Sequence, residues 1–263
     1  MSDFLRKVQM AEYDILKELD RVCKKHNIKY FLGQGTLLGA AKYKKFIPWD
    51  DDIDLLLDYR ELKKVHNIFP KEGREDYFLT SCNVEKHFPL VWSKIRAKNT
   101  LSRPVKYKSL PINWGICIDL FPVYPVSDFA FLRKLEYINM KIASKLLLAE
   151  MTKYEQNHSF LVRILEKIPI CLRHLYLKFA VKLLSFHSDK TRYVYVACKG
   201  GKVVERELLF GEEKTLPFEN CEFPVPADYH TYLTQMYGDY MAPLPKEQQG
   251  GHDLKMGEIE WKL

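Results

Sequence analysis

The segment GQGTLLGAAKYKKFIPWDDDIDLLLD, residues 33–58, constrains the fold of this chain more than any other stretch. It places five aspartates between Asp50 and Asp58 and interleaves them with aliphatic residues. Because alternate side chains of a strand share a face, we expect Asp50, Asp52 and Asp54 to project together while the aliphatic residues serve the core. Carboxylates crowded on one face raise one another's pKa and destabilise the strand unless a cation neutralises them.

The ion that suits this predicted carboxylate cluster is a hard divalent cation. Mg²⁺ prefers oxygen ligands and bridges readily to substrate phosphates, so the cluster predicts one or two Mg²⁺ ions, with Mn²⁺ as a substitute. Asp51 has the opposite parity and is expected to support the cluster or face solvent. An EF-hand loop is rejected because Leu55 stands where that loop needs glycine. Aspartates that simply cap a turn remain the structural alternative.

The glycine-bracketed GQGT sequence precedes a predicted short helix at TLLGAAKYK. A small-residue turn before a helix exposes backbone N–H groups that can hold phosphate, so Gly35 and Thr36 are expected to bind substrate. Such a turn placed shortly before an Asp-x-Asp strand is the arrangement of the nucleotidyltransferase fold.

The remaining pattern predicts an α+β fold. Residues 3–27 have the spacing of an amphipathic helix, and KYFL, IDLLLD, HFPLVWSKIRAKNT and GICIDLFPVYPV are predicted to contain strands. We divide the chain into a catalytic core at 1–128, a helical region at 129–190 and a C-terminal part at 191–263 that completes the site.

The helical region consists of two long apolar stretches with charges every few residues, and Pro169 is expected to divide the second. After Pro169, one helix face carries the apolar residues Leu172, Leu175, Tyr176, Phe179 and Leu183. Two interpretations are open. The helix either rests on an anionic membrane or packs this face into the core, and we favour the second.

Composition limits the partners and the compartment. Hydrophobic residues make up 47% of the 263 residues, which suits a folded protein, and the net charge of +7 favours anionic partners. Six scattered cysteines and an N-terminus without an apolar leader predict a reducing, cytoplasmic location. A peripheral position on the inner face of the cell membrane is compatible with this.

Four blocks of the sequence resemble the LicD family of phosphorylcholine transferases, which is related to fukutin. They are YFLGQGTLLGAAKYKKFIPWDDDIDLLL, WSKIRAKNT, WGICIDLFPVYPV and YGDYMAPLPKEQQGGHD, in the order found in the family. The resemblance implies a nucleotidyltransferase-like mixed sheet with an added helical region. It also implies transfer of phosphocholine from CDP-choline to a sugar hydroxyl of a lipid-linked glycan, which is a teichoic acid precursor in Gram-positive members.

The same resemblance implies roles for particular residues. Asp50, Asp52, Asp54 and Asp119 would be the metal ligands, and Asp119 also stands out as a lone acid in an apolar strand. His252 matches a C-terminal family histidine that would accept the acceptor's proton or bind a phosphate oxygen. The basic residues expected to bind the diphosphate are Lys42, Lys44, Lys94 and Arg96.

Two departures and two alternatives accompany this interpretation. The chain reads KYKK where the family usually has Arg-His-Lys-Gly, and it has a single histidine where the family often has a pair. The alternative functions are a nucleotidyltransferase that adds a nucleoside monophosphate to a small acceptor, and a non-catalytic, membrane-associated assembly protein. No nucleic acid partner is expected. The choline-binding aromatic residues cannot be chosen among Trp49, Trp92, Trp114, Tyr237 and Tyr240.

Overall fold

The computed structural model describes residues 3–104, 109–152, 164–243 and 257–261. The helices are α1 (Asp3–Lys25), α2 (Gln34–Tyr43), α3 (Tyr59–Glu72), α4 (Ala130–Thr152), α5 (Ile170–Ser185), α6 (Arg206–Leu209) and α7 (Tyr229–Tyr237). The strands are β1 (Phe31–Leu32), β2 (Asp54–Asp58), β3 (Tyr77–Thr80), β4 (Ser93–Ala97), β5 (Thr100–Pro104), β6 (Cys117–Val126), β7 (Tyr193–Val196), β8 (Lys202–Glu205), β9 (Lys214–Phe218), β10 (Cys221–Val225) and β11 (Gly257–Trp261). The predicted α+β class is confirmed.

A seven-stranded mixed sheet organises the chain around the long strand β6. On one edge β6 pairs in parallel with β2, and β1 follows beyond it. On the other edge β6 pairs antiparallel with β4 over its first half and with β7 over its second half. β3 then extends the sheet from β4, and β8 extends it from β7. The β9–β10 and β5–β11 pairs are separate two-stranded sheets.

The two faces of this sheet carry two apolar clusters. Neighbouring residues of β7 separate them, because Val194 belongs to the cluster that α1 and α3 cover while Tyr195 belongs to the cluster that α4 and α5 cover. Successive side chains of a strand point to opposite faces, so the two clusters meet on opposite sides of β7. The α1 stripe predicted from the sequence is buried, including Leu5, Val8 and Leu19, and Leu19 belongs to the cluster under α1 and α3.

The helical region confirms one prediction and contradicts another. Pro169 caps the N-terminus of α5, as expected for a residue that divides two helices. Four of the five residues in the apolar stripe after it do not pack into the core, because Leu172, Leu175, Phe179 and Leu183 are exposed. The fifth, Tyr176, is partly buried against the cluster under α4 and α5. The buried face of α5 is instead the one that carries Arg173, Leu177, Ala180 and Leu184.

The contacts of Arg173 explain why the side of α5 that carries this charged residue is the buried one. Its side chain is only 1% exposed and donates from Nη1 to Glu150 Oε1 of α4 at 3.1 Å. Further donations to the carbonyl oxygens of Ile168 and Glu166 complete its hydrogen bonds. A buried ion pair with its other donors satisfied can occupy a core position, so periodicity alone assigned the wrong face of α5 to the core.

Within the described ranges, no helix is long and apolar enough to cross a bilayer. All six cysteines are free.

Candidate active site

Three charged residues form one row across three neighbouring strands. Asp54 of β2 is the register partner of Asp119 of β6, and Lys94 of β4 is the partner of Asp119 on the other edge. Register partners project from the same sheet face, so the three side chains meet side by side. The three side chains line one pocket, and α4 contributes Ser144, Leu148 and Met151 to the wall of that pocket.

Lys94 and Asp119 form an ion pair with Nζ and Oδ1 only 2.5 Å apart. Burial acts to lower the pKa of Lys94, but the charge of Asp119, aided by Cys117, outweighs it and the net pKa is raised. The lysine is therefore held as a cation at neutral pH. The row brings together one cationic and two acidic side chains that are distant in sequence. Lys94 lies 40 residues after Asp54 and 25 residues before Asp119.

Asp50 and Asp52 reach the same pocket from outside the strand. Only Asp54 of the predicted trio lies in β2, which begins at that residue, so the expectation that one strand presents all three is wrong. The two others lie in the segment that enters the strand, yet all three line one pocket with Lys94 and Asp119. The three carboxylates therefore meet because the segment before β2 lies along the pocket, and not because they alternate along one strand.

The carboxylates of this pocket are electrostatically crowded. Burial, and then the neighbouring Asp52, Asp119 and Asp50, raise the pKa of Asp54 well above its ordinary value. Burial and the adjacent Asp51 raise the pKa of Asp50 to about 6. The charge of Lys94 acts to lower the pKa of Asp54, but this lysine is already paired with Asp119. A site with this imbalance favours an additional positive group.

The N-terminus of α2 positions two of the aspartates. A Cβ on Gly35 would lie 2.7 Å from Asp50 Oδ2, so a glycine is needed for the carboxylate to approach the helix this closely. The Thr36 hydroxyl accepts a hydrogen bond from the Asp54 backbone N–H at 2.8 Å. Gly35 lines the pocket, whereas Thr36 is buried beneath it. Substrate binding by either residue stays a prediction.

Two buried polar residues of α1 lie near the acidic segment, and the sequence analysis identified neither. Gln9 is fully buried and donates from Nε2 to the carbonyl oxygen of Asp50 at 2.8 Å. Glu12 is also buried, and its pKa is raised well above normal by burial, then by Cys117 and the nearby Asp52. Polar side chains on the buried stripe of an amphipathic helix were the signal, since such positions are rarely polar without a partner.

The basic residues predicted to hold phosphate separate into two groups. Lys42 and Lys94 line the pocket, and Lys42 donates to the carbonyl oxygens of Tyr240 and Ala242. Lys44 is exposed at the C-cap of α2 and does not line it. Arg96 is buried, donates to the carbonyl oxygen of Gly115 at 3.0 Å, and does not line it either. His252 lies outside the described residues.

The pocket itself has a volume of about 990 Å³, which is sufficient for a nucleotide-sized ligand. Its remaining walls are strongly aromatic, and Ser144, Leu148 and Met151 of α4 close one side. The aromatic lining residues are Tyr43, Trp49, Trp92, Phe121, Tyr237 and Tyr240. Trp114 is elsewhere, against Arg96.

The pocket has the type of oxygen ligand that a divalent cation binds, but no three of its described carboxylates converge closely enough to form a metal site. Buried carboxylate oxygens that raise one another's pKa are the donor set that Mg²⁺ takes. In the part of the chain with described coordinates, however, no three His, Cys, Asp or Glu side chains converge into a metal-binding group. Mg²⁺ therefore stays a prediction here.

Comparison with known proteins places the chain in a family. A family model described as LicD/FKTN/FKRP, nucleotidyltransferase domain, matches residues 27–163. The chain belongs to the LicD family. The LicD match includes Asp54, Lys94 and Asp119, whereas the pocket aromatics Tyr237 and Tyr240 lie beyond it.

Individual LicD relatives extend the comparison over the whole chain. The lipopolysaccharide cholinephosphotransferase LicD of Haemophilus influenzae is 28% identical over 268 aligned residues, covering 97% of this chain and 98% of its own length. An uncharacterized protein of Rickettsia prowazekii is 34% identical over 65 residues, which is 25% of this chain and 24% of that protein.

Proposed function

We propose that this protein transfers phosphocholine from CDP-choline to a sugar hydroxyl of a cell-surface glycan precursor and releases CMP. The observation that carries the proposal is the row of Asp54, Asp119 and Lys94 in a nucleotide-sized pocket of a LicD family chain. The likeness to the Haemophilus cholinephosphotransferase along almost the full length supports the choice of group transferred.

The acceptor and its location are further parts of the proposal. We take the acceptor to be a lipid-linked glycan, with a teichoic acid precursor as the specific candidate, reached from the cytoplasmic side of the membrane. The fold would be nucleotidyltransferase-like, with residues 191–263 completing the site. The position of β7 supports a contribution of residues 191–263 to the site, because β7 pairs with the half of β6 that follows Asp119.

The chemistry proposed is an in-line phosphoryl transfer. The acceptor hydroxyl oxygen attacks the choline-bearing phosphorus, the bond from that phosphorus to the CMP oxygen breaks, and the hydroxyl proton passes to Asp119 or His252. Asp50, Asp52, Asp54 and Asp119 would hold Mg²⁺, which when bound neutralises the diphosphate charge. Lys94 and Lys42, the two basic candidates that line the pocket, would bind phosphate oxygens.

The aromatic walls suit the other end of the donor. A quaternary ammonium is attracted to the faces of aromatic rings, and Trp49 and Tyr43 already pack edge to face with ring centroids 6.4 Å apart. The nearby carboxylates add a negative potential that favours the same cation. We therefore place choline against the aromatic side of the pocket and the diphosphate against the row of charged residues.

A titration tests the donor assignment. CDP-choline, CDP-ethanolamine and CMP are each titrated into the full chain by calorimetry, with Mg²⁺ and with a chelator. We expect CDP-choline to bind most tightly and Mg²⁺ to strengthen its binding. In a separate activity measurement, Asp52→Asn should abolish turnover with the fold intact. Equal affinity for CDP-choline and CMP, or full activity of the Asp52→Asn variant, would contradict the proposal.

A further inference from the structure

Two stripes of large apolar side chains are exposed on α4 and α5, and we call them together the apolar helix face. Both recur at helical spacing, on the sides opposite those that each helix buries in their shared cluster. The apolar helix face consists of Phe131, Leu135, Ile138 and Ile142 of α4 and of Leu172, Leu175, Phe179, Leu183 and the C-cap residue Phe186 of α5.

The two helices lie side by side and run antiparallel, so the stripes extend along one surface. Glu136 near the start of α4 pairs with His187 just beyond the end of α5, while Glu150 near the end of α4 pairs with Arg173 near the start of α5. Exposure is high along the whole face, reaching 62% at Leu175 and 74% at Phe186. A continuous apolar surface of this kind marks an interaction site.

The charges on the two helices have a single sign wherever they are exposed. The described acids of α4 are Glu136, whose carboxylate contacts the His187 ring, and Glu150, which forms an ion pair with Arg173. α5 contains no acidic residue. The exposed charged residues of α4 and α5 are the lysines Lys134, Lys145, Lys178 and Lys182.

We propose that the apolar helix face is a docking surface for an anionic lipid bilayer. Exposed apolar side chains flanked by lysines are the composition of helices that lie in the membrane interface, with the rings and aliphatic groups among the acyl chains and the ammonium groups at the phosphates. Lys178 and Lys182 flank Phe179 and Leu183 on α5, so basic and apolar groups alternate along the same edge. The lysine stems can follow the apolar surface while their heads reach the lipid phosphates.

The same charges disfavour a second copy of this chain as the occupant. An isologous dimer through this face would bring the lysines of one copy toward those of the other, and like charges at a desolvated interface cost several kcal/mol. An anionic bilayer instead supplies negative charge, and its shape can adapt to the surface that the neighbouring helices α4 and α5 form. The net charge of +7 on the chain acts in the same direction.

The position of the surface fits the proposed reaction, on which this part of the inference rests. α4 contributes Ser144, Leu148 and Met151 to the wall of the active-site pocket, and Leu148 is itself partly exposed. One helix therefore connects the docking surface with the pocket. Because α4 lies between the docking surface and the pocket, a bilayer held against α4 and α5 would keep a lipid-linked acceptor close to the pocket.

Vesicle binding tests the docking surface without any need for catalysis. The full chain is floated with vesicles of phosphatidylcholine alone and with vesicles containing about one-third phosphatidylglycerol, at low and at high salt. We expect binding to the anionic vesicles that weakens at high salt. Lys178→Glu combined with Lys182→Glu should lower the partition coefficient by at least about 20-fold, since each basic residue near an anionic surface contributes roughly fivefold.

Matched variants separate charge from apolar insertion and from the fold. Leu175→Ser combined with Phe179→Ser should release the protein from anionic vesicles while leaving its melting temperature unchanged or higher, because both side chains are exposed. The charge-matched control, Lys63→Glu with Lys71→Glu on the exposed side of α3, should bind vesicles at least about tenfold more tightly than the α5 variant, since α3 contributes no residue to the apolar helix face.

Three results would overturn the docking surface: no binding to anionic vesicles, equal loss from both charge variants, or a stable dimer in solution that the serine variant dissociates. Calorimetry with CDP-choline keeps the two proposals apart. Vesicle binding without CDP-choline binding would contradict the proposed function alone. CDP-choline binding without vesicle binding would contradict the docking surface alone.

Discussion

Asp54 and Asp119 stand opposite each other in register on the adjacent parallel strands β2 and β6, and the Asp119 carboxylate is also 2.5 Å from the Lys94 ammonium. This relationship places two acids and one base on a single sheet face at the floor of the pocket. Strand pairing sets this arrangement, since each of the three side chains is held by its own strand.

Asp54→Asn separates the proposed catalytic role of this carboxylate from its structural effect. We expect turnover to fall by at least about 100-fold, as when a preorganised electrostatic group is lost. The melting temperature should stay the same or rise, because burial and its acidic neighbours already disfavour the charged form of Asp54. Asp14→Asn, at an exposed position on α1, is the matched control and should change neither quantity. A large fall in stability with normal turnover would contradict this role.

Lys94→Met leaves the Asp119 carboxylate without its cation. We expect a loss of about 2–3 kcal/mol in the free energy of unfolding, less than for fully buried pairs because both side chains keep some exposure. The double variant with Asp119→Asn should recover most of that loss but no activity. Urea denaturation of the four members of the cycle measures the coupling. Additive effects of the two substitutions would show that the pair does not interact.

Gly35→Ala tests how α2 positions Asp50. The added Cβ would lie 2.7 Å from Asp50 Oδ2, a flexible side-chain end, so the carboxylate must move while the fold tolerates the change. Activity should therefore fall at least about tenfold with little change in melting temperature. In Gly39→Ala the Cβ would lie 2.7 Å from the Lys45 backbone oxygen, so this variant should lose stability instead. The reverse pattern would contradict the assignment.

The ion pair between Arg6 and Glu219 makes stability depend on pH. The hydrogen bond from Arg6 lowers the pKa of Glu219 below its ordinary value, so the pair contributes stability above the unfolded-state pKa and loses it as pH falls through the folded-state pKa. Urea denaturation between neutral and acidic pH should show a smaller acid-dependent loss for Glu219→Gln than for the parent. Identical pH profiles would contradict it. Glu219 also accepts from the Phe46 backbone N–H, so the pair anchors the chain that leads to the aspartates.

Much of the site could be predicted because its residues have short-range signals. Asp54 begins an aliphatic strand, Asp119 interrupts another, and each strand forms where the pattern indicated. The pairing of Lys94 with Asp119 was not predictable, since it depends on which strand lies beside β6 and in which register. Local sequence carries little information about such long-range pairing.

The errors arise where tertiary contacts override periodicity. The pattern favoured burial of Leu175 and Phe179, whereas a buried ion pair turned the opposite side of α5 inward. Asp50 and Asp52 were assigned to a strand, but they lie in the segment before it, where Gln9 of α1 binds the Asp50 carbonyl oxygen. The Arg173–Glu150 pair and the Gln9–Asp50 hydrogen bond each depend on a residue far away in sequence, so the local pattern does not indicate them.

The most direct test of the central claim is to determine which half of CDP-choline moves. The donor carries one radiolabel in choline and a second in cytidine, and it is incubated with the full chain, Mg²⁺ and a lipid-linked glycan acceptor. Asp52→Asn serves as the inactive control. We predict that the choline label enters the glycan and that the cytidine label is recovered as CMP. Entry of the cytidine label into the acceptor would show a nucleotidyltransferase and would contradict the account.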